Sequence, residues 1–514
     1  MATVVNSIGI LGLEGYLINV EVSIYSGLAM TSIVGLGDGA VKEAKERVET
    51  CLNKLDYIYP KKKIVINLSP SDIKKSGSYF DLAIIIGILL ESEQIYPQKF
   101  NMGEYIFLGE ISLNGELKSI HGVLPMVIAA KKKGFTKIIL PSSCRREGSV
   151  VGGMEIFSFD NINQIINFME KNIFIKSLIE PESSTNEMQE FKIDFSDVYG
   201  NRDIIEYVAA AAAGNHNFLM VGAPGCGKSM IAKRMPTILP QMTEEEVLET
   251  TSIYSICGLL KDSGLITSRP FRSPHYNASS NALIGGGMNA MPGEISLSHN
   301  GILFLDELPQ FSRNTLEALR QPLEDRCVTI SRVKYTNVFP ANFQLVAAMN
   351  PCPCGHHGTG NCNCSPYEIK RYTQRISGPI LDRIDIQKYL GKVNLFEEGG
   401  QPKNLTSAEI KGKVEMARNI QLERFKTIKG ITSNGQMESA HIKAFCPLDT
   451  DSLNLLQRSY EKFQFSARTH NKIIKISRTF ADMDGSKEIL KQHMIYGLMA
   501  RDLDKDKSNM LVLK

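Results

Sequence analysis

The chain has 514 residues, of which 43% are hydrophobic, and its formal net charge is +3. At roughly 150 residues per domain, this length favours two to four domains with cores of their own, and it excludes a small disulfide scaffold or a disordered chain. The longest apolar run, residues 82–90, is shorter than the roughly 18 residues of a membrane helix. The first twenty residues lack a basic segment and contain Glu14, so a cytoplasmic protein is predicted.

The ten cysteines are expected to stay reduced in that compartment, so a cluster of them indicates a metal site rather than disulfides. Charge is unevenly distributed, because residues 401–514 carry 20 Lys and Arg against 13 Asp and Glu, or +7, and the preceding residues carry −4. A basic surface is compatible with nucleic acid, but a solvated helical face has the same composition.

Residues 1–175 are predicted to form a mixed α/β domain. Residues 63–68 have the pattern of a strand, and residues 81–90 have that of a buried helix or strand. Asn114-Gly115 predicts a two-residue hairpin turn between residues 105–113 and 116–120. The polar residues 176–190 are predicted to be a linker.

Residues 191–398 alternate strand-like runs with helical stretches, which predicts a parallel sheet covered by helices. The predicted strands are residues 218–221, 302–305 and 344–348. Residues 399–514 have helical periodicity, as in residues 407–427 and 466–482, and predict a helical domain. No internal repeat or low-complexity tract is found.

The strongest motif follows the first of these strands and fits G-x-x-x-x-G-K-[ST]. It consists of Gly222, Ala223, Pro224, Gly225, Cys226, Gly227, Lys228 and Ser229. The glycines let backbone N–H groups converge on phosphate oxygens. Lys228 is expected to contact the β and γ phosphates of ATP, and Ser229 to offer its hydroxyl to Mg²⁺.

Two adjacent acids follow the second strand, at the edge of a parallel sheet where ligands collect. Asp306 is predicted to hold Mg²⁺, directly or through bound water, and Glu307 to polarise the attacking water. The alternative is that the pair caps the next helix, but the phosphate-loop motif disfavours it.

Three further side chains are candidates for the ATP site. Asn350 ends the third strand and is predicted to orient the water, although an Asn before Pro351 is also usual in turns. Arg383 and Arg468 lie far from the phosphate loop in sequence. An arginine added to the γ-phosphate accelerates hydrolysis by roughly 10³- to 10⁵-fold.

Four cysteines, Cys352, Cys354, Cys362 and Cys364, stand within thirteen residues. Four thiolates can complete a tetrahedral zinc shell, with His356 and His357 as substitute ligands. The alternative is ordinary loop thiols. Because the loop begins directly after Asn350, a structural Zn²⁺ is predicted to fix the end of that strand.

Several strings besides the phosphate loop resemble the magnesium-chelatase-related AAA+ ATPases, and the whole chain resembles the YifB/ComM family. These strings are residues 272–279, 292–299, 301–308, 319–324 and 378–385. Tyr276-Asn277 depart from the usual His-Thr, and Ser229 replaces the usual Thr but keeps the hydroxyl.

The resemblance implies a homo-hexameric ring in which Arg383 is an arginine finger acting on a neighbouring subunit. It also implies that Asn350 is sensor 1 and that Arg468, from a helical lid, is sensor 2. Residues 263–299 and 327–341 are implied to form hairpins facing the central pore.

The N-terminal segment resembles the Lon-type protease domain through residues 109–122 and 129–141. The places of the nucleophile and the lysine fall near Tyr79 and Leu124. Ser76 and Ser78 are close by, but the first lysine after Leu124 is Lys131, about two helical turns on. A protease-like fold without the Ser-Lys dyad is predicted.

Three uses of an Mg²⁺-dependent ATPase remain open. The resemblance to the YifB/ComM family implies a DNA motor for branch migration or unwinding during recombination of incoming single-stranded DNA. Its pore loops would carry Arg269, Arg272, Arg332 and Lys334. The alternatives are a chelatase-like subunit for metal insertion, which the N-terminal segment disfavours, and an ATP-driven chaperone or switch acting on a protein.

Overall fold

The computed structural model describes residues 2–73, 75, 77–97, 100–171, 192–260, 264–287, 290–332, 335–358, 361–391 and 405–503. Contacts divide the chain into two compact units. Unit 1 is Met1–Glu187 with Val247–Thr267, and unit 2 is Met188–Glu246 with Ser268–Lys514. The predicted linker and the boundary at residues 398–399 lie outside the described residues. Residues 247–267 of the predicted core fall in unit 1, and the rest of the core falls in unit 2 together with the predicted C-terminal region. A separate lid domain therefore stays a prediction.

Up to residue 171, the described residues of unit 1 form nine strands and five α-helices. The strands are β1 (Thr3–Leu11), β2 (Glu14–Tyr25), β3 (Met30–Val34), β4 (Lys63–Ser69), β5 (Tyr105–Phe107), β6 (Glu110–Ile111), β7 (Leu117–Lys118), β8 (Lys137–Pro141) and β9 (Glu155–Phe159). The helices are α1 (Gly39–Lys54), α2 (Asp81–Glu91), α3 (Val123–Lys132), α4 (Arg145–Gly148) and α5 (Ile162–Lys171).

Two sheets organise unit 1: a four-stranded sheet in the order β1-β2-β4-β3 and a parallel sheet in the order β5-β8-β9. The apolar run that predicted a helix or a strand forms α2, which is buried on nearly every side. A helix that is apolar all round is typical of a domain centre. Its buried Asp81 receives two hydrogen bonds from Arg47, at 2.8 and 3.0 Å, which compensate the burial of this carboxylate.

The hairpin predicted around Asn114-Gly115 is present but differs in two respects. Its strands are only β6 and β7, and Ile111 pairs with Leu117, with Ser112 donating to the Glu116 carbonyl at 2.9 Å. The loop therefore has three residues, with Gly115 in the left-handed region at φ +83°. Residues 105–107 instead form β5 and pair with β8, so the prediction of one long hairpin strand was wrong.

Unit 2 begins with α6 (Arg202–Gly214) and places its main strands between short helices. Its strands are β10 (Phe218–Gly222), β11 (Phe271–Arg272), β12 (Gly285–Gly286), β13 (Met291–Pro292), β14 (Ile302–Leu305), β15 (Cys327–Arg332), β16 (Tyr335–Pro340), β17 (Gln344–Met349) and β18 (Ile386–Leu390). The helices in this stretch of the chain are α7 (Lys228–Arg234), α8 (Glu244–Ile256), α9 (Ser280–Ile284), α10 (Glu294–Leu297), α11 (Arg313–Glu317), α12 (Arg320–Asp325), α13 (Pro366–Thr373) and α14 (Gly378–Leu381). From Val247 onward, α8 belongs to unit 1.

The central sheet of unit 2 has five parallel strands in the order β11-β14-β17-β10-β18. The strand that comes first along the chain, β10, thus lies between the fourth and the fifth, where an α/β sheet opens a crevice for ligands. Each predicted strand is confirmed: all residues of β10, β14 and β17 are buried. This mixed α/β fold is that of an AAA+-type core.

Residues 405–503 are helical, as the periodicity predicted. The helices are α15 (Ser407–Phe425), α16 (Ser439–Phe445), α17 (Thr450–Phe463), α18 (Ala467–Met483) and α19 (Lys491–Met499). Hydroxyl N-caps explain two starting points, since Thr406 accepts from the N–H of Glu409 and Ser466 from that of Thr469. Within the described parts of the chain, no helix is long and apolar enough to cross a membrane.

Candidate nucleotide site

The phosphate-loop motif forms a tight turn between β10 and α7. Gly225 and Gly227 have φ angles of +80° and +92°, which side chains strongly disfavour. Gly222 is needed for space, because a Cβ there would lie 2.6 Å from the Cys226 Sγ and 2.9 Å from the Leu390 carbonyl oxygen. The glycine spacing of the motif is therefore a requirement of the backbone.

Lys228 and Asn350 meet beside this loop, although 122 residues separate them. The Lys228 ammonium donates to the carbonyl oxygens of Gly222 and Ala223, at 2.6 and 3.0 Å, and to Asn350 Oδ1 at 3.1 Å. Parallel pairing explains the meeting, because Val221 of β10 stands opposite Met349 of β17. A buried cation and an amide thus lie side by side where phosphate oxygens are expected.

The hydroxyl of Ser229 donates to Asp306 Oδ2 at 2.6 Å. A hydroxyl and a carboxylate are hard oxygen ligands of the kind that Mg²⁺ prefers. The pair therefore fits a magnesium ion, with Ser229 and Asp306 as the residues that would hold it. The two strands that deliver them, β10 and β14, flank β17 on either side.

Glu307 is exposed and has a left-handed backbone, at φ +51°. It stands at the start of a 3₁₀ turn, Leu308–Gln310, but its side chain makes no capping hydrogen bond. A non-glycine residue in this region costs about 1–2 kcal/mol and is frequent at functional sites. The side chain of Glu307 is therefore not held by a helix cap, which was the alternative interpretation.

Arg383 and Arg468 lie together, and they meet at a residue that the sequence did not single out. Arg383 Nη2 is 2.5 Å from Glu324 Oε1, and Arg468 Nη2 is 3.9 Å from the same oxygen. In the part of the chain that the structure describes, neither guanidinium bonds to its own phosphate loop. The roles of finger and sensor 2 therefore stay predictions.

The four cysteines converge as predicted, with their sulfur atoms all within 4.8 Å of one another. Cys352 Sγ is 3.3 Å from Cys354 Sγ and 3.7 Å from Cys362 Sγ. Neither His356 nor His357 belongs to this group of ligand atoms. The geometry fits a four-thiolate zinc site, whose ligands would be Cys352, Cys354, Cys362 and Cys364.

The thiols influence one another strongly. The backbone N–H of His356, with help from the Cys352 thiol, lowers the pKa of Cys354 to about 6. The N–H of Cys354 favours a Cys364 thiolate, but the neighbouring thiols and burial outweigh it and raise the pKa of Cys364 to about 12. Four thiolates this close repel one another, and a bound cation would remove that repulsion.

The cysteine loop also contacts the phosphate loop, which sequence reasoning missed. Gly355, at φ +82°, is so close to Pro224 that a Cβ would lie 2.5 Å from the proline Cδ. The buried Tyr372 of α13 hydrogen-bonds the Asn350 backbone, and burial raises the pKa of Tyr372. No local signal in the sequence reports either contact.

The basic residues predicted for pore loops are only partly described. Residues 327–332 and 335–340 form the expected hairpin of β15 and β16, but Lys334 and the side chain of Arg332 lie outside the described residues. Arg269 pairs with Glu246 at 2.8 Å, and Arg272 pairs with Glu294 at 2.6 Å. These two arginines are therefore engaged within the chain, which weakens them as DNA contacts.

In unit 1, the side chains near the protease-like positions have other partners. Ser78 donates to Glu110, and Lys131 donates to the Gly152 carbonyl at 2.6 Å. Leu124, the second residue of α3, donates its backbone N–H to Glu147 Oε1 at 2.7 Å. Ser76 lies outside the described residues. The Lon-like fold without protease chemistry stays a prediction.

Comparisons with known proteins agree with this architecture. Residues 194–397 match the family described as magnesium chelatase, subunit ChlI, and residues 404–501 match its C-terminal family. Residues 20–144 match the family described as subunit ChlI of Mg-chelatase. The chain is 38% identical to competence protein ComM of Haemophilus influenzae, over 96% of this chain and 97% of that protein. It is 37% identical to YifB of Escherichia coli, over 98% and 97%.

Proposed function

Because the chain belongs to the YifB/ComM family of magnesium-chelatase-like AAA+ ATPases, we propose that it hydrolyses ATP in a homo-hexameric ring and uses the energy to move on DNA. The observation that supports ATP hydrolysis best is the convergence of Lys228 with Asn350 and of Ser229 with Asp306. The last two residues of the phosphate-loop motif are thus in contact with side chains that follow β17 and β14.

Each residue has a role that follows from its contacts. Backbone N–H groups of the loop and the Lys228 ammonium bind the phosphates. Asn350 accepts from Lys228 and holds it toward the γ-phosphate, and its amide is available to orient the attacking water. Glu307, which is exposed and whose side chain makes no capping hydrogen bond, accepts the proton of that water. Bound Mg²⁺, held by Ser229 and Asp306, would neutralise developing charge on the phosphate oxygens.

The predicted arginine finger completes the site from a neighbouring copy. Among the described residues, the Arg383 guanidinium bonds to its own chain only through Pro379 and Glu324, so a role at another subunit's phosphate is compatible with its position. The zinc loop would give the phosphate loop a rigid support, because Gly355 packs against Pro224.

The DNA substrate rests on the relatives rather than on a contact. ComM of Haemophilus influenzae is named as a competence protein, and we propose branch migration or unwinding of recombining DNA for this chain. The test is ATP turnover measured with single-stranded, duplex and branched DNA. Stimulation by single-stranded or branched DNA that falls steeply with added salt is expected, because phosphate contacts release counterions.

A chelatase-like metal insertion is the second candidate, and the matches to ChlI favour it. The N-terminal segment, expected to disfavour it, itself matches a family described as a subunit of that enzyme. Turnover that ignores every DNA but rises with a tetrapyrrole-binding partner would support this candidate. Turnover raised by a different protein partner would support a chaperone or switch.

A further inference from the structure

Two arginines contact one carboxylate on the surface that carries Arg383, and a third arginine acts on it through its field. Glu324, in α12, contacts Arg383 at 2.5 Å and Arg468 at 3.9 Å through the same oxygen. The pair with Arg383, followed by the fields of Arg468 and Arg320, lowers the pKa of Glu324. Arg320 itself pairs with Glu317 at 3.0 Å. With Glu324 ionised, the group of Glu324, Arg383 and Arg468 keeps a net positive charge, which suits a phosphate ligand.

The backbone that carries Arg383 is fixed from the C-terminal helices. Lys472 donates to the Ile384 carbonyl at 3.0 Å and pairs with Asp385 at 3.2 Å. Arg501 donates to the carbonyls of Ile384 and Asp385, both at 2.9 Å. Burial opposes a charged Asp385, but Lys472 and His216 outweigh it and hold the pKa of Asp385 well below its usual value. The segment therefore has little freedom, and any adjustment must come from the Arg383 side chain.

The direction of that side chain is set at both ends of its guanidinium. Nη1 donates to the Pro379 carbonyl at 2.7 Å, and Nη2 pairs with Glu324. Only 10% of the Arg383 side chain is exposed, against 64% for Arg468. Arg468 stands one helical turn before Lys472 on α18, so the helix that fixes the Arg383 segment also brings the second arginine to the carboxylate.

We propose that Glu324 is a positioning residue that holds Arg383 and Arg468 as a preassembled pair for the phosphates of a second copy of this chain. The proposal rests on the proposed function, in which Arg383 acts on a neighbour's ATP. A finger that is already oriented avoids the cost of ordering a long side chain when the subunits meet. Glu324 itself does not contact the nucleotide in this scheme.

The test is steady-state ATP turnover of Glu324→Gln in the full-length chain, with assembly checked by light scattering. The amide keeps the size of the side chain but loses the charge that holds both arginines. A misplacement of about 1 Å can cost about 100-fold in rate, so kcat should fall by roughly 10- to 100-fold while KM for ATP stays within about twofold. Glu423→Gln is the matched control, because Glu423 forms an exposed pair with Lys426 on α15 and should leave kcat unchanged.

Two results would overturn the inference. Unchanged kcat in Glu324→Gln would show that Arg383 needs no orientation, and a higher kcat would show that Glu324 restrains the finger. If Glu324→Gln does not assemble, Glu324→Asp replaces it, with reduced kcat at unchanged KM expected and wild-type kcat counting against the inference.

The control Arg383→Ala separates this inference from the proposed function. If Arg383→Ala keeps full turnover, the finger itself is wrong and the role of Glu324 falls with it. If Arg383→Ala is inactive and Glu324→Gln is fully active, the proposed function stands and only the positioning role is wrong.

Discussion

The contact between the cysteine loop and the phosphate loop predicts a measurable loss of nucleotide affinity in Gly355→Ala. A Cβ at this position would lie 2.5 Å from Pro224 Cδ, closer than carbon atoms approach, and the ring cannot rotate away. The left-handed backbone adds about 1–2 kcal/mol, and overpacking of this kind costs roughly 1–3 kcal/mol. If the overlap is relieved by moving Pro224, ATP should bind roughly 5- to 150-fold more weakly.

Gly358→Ala provides the matched control. Gly358 lies in the same loop at φ +85°, but a Cβ there would meet nothing within 4 Å. Both variants therefore suffer the same backbone strain, and only Gly355→Ala presses on the phosphate loop. The assay is a fluorescence titration with a labelled ATP analogue, beside a thermal melt. Equal affinities in the two variants would refute the mechanical contact.

Three further predictions concern the ATP and metal sites. Glu307→Gln should retain ATP binding and lower turnover by roughly 10²- to 10⁴-fold, because an amide cannot accept the proton of water; unchanged turnover would remove Glu307 from the site. Arg383→Ala should bind ATP normally without turnover, and mixing it with Glu307→Gln subunits should restore some activity; mixed rings without recovery would favour a finger acting within its own subunit. Metal analysis should find about one zinc per chain, lost together with ATPase activity or assembly when Cys352 and Cys364 are changed to serine; full activity of a zinc-free double variant would make these ordinary thiols.

Local patterns predicted the parts of the site that depend on consecutive residues. The spacing of Gly222, Gly227 and Lys228 follows from what the backbone of the loop requires. The uniformly apolar sequence of β14 predicted a buried strand, and so placed Asp306 at its end. Periodicity could not decide between helix and strand for residues 81–90, since a fully buried element has no polar face to reveal its period.

What escaped prediction depends on residues far apart in the chain. The assignment of residues 105–107 to a second sheet follows from pairing with β8, which a turn motif does not report. Glu324 gains its partners from segments around residues 383 and 468, and Gly355 gains its constraint from Pro224. Such contacts exist only once the sheet and the C-terminal helices have assembled.

The central sheet also sets the distances between the groups of the candidate site. Strands β14, β17 and β10 are neighbours. Asp306 follows β14, Asn350 follows β17, and Gly222 is the last residue of β10. Adjacent strands lie roughly 4.8 Å apart, so these three strand ends together span about 10 Å. The separation between the metal ligand, the amide and the phosphate loop is therefore a property of the hydrogen-bonded backbone. A bulky side chain in place of the fully buried Ala347 or Ala348 would point out of the sheet and press on the layers that cover it, without touching ATP. Apolar positions deep in the sheet therefore support the site as much as the polar residues at its edge.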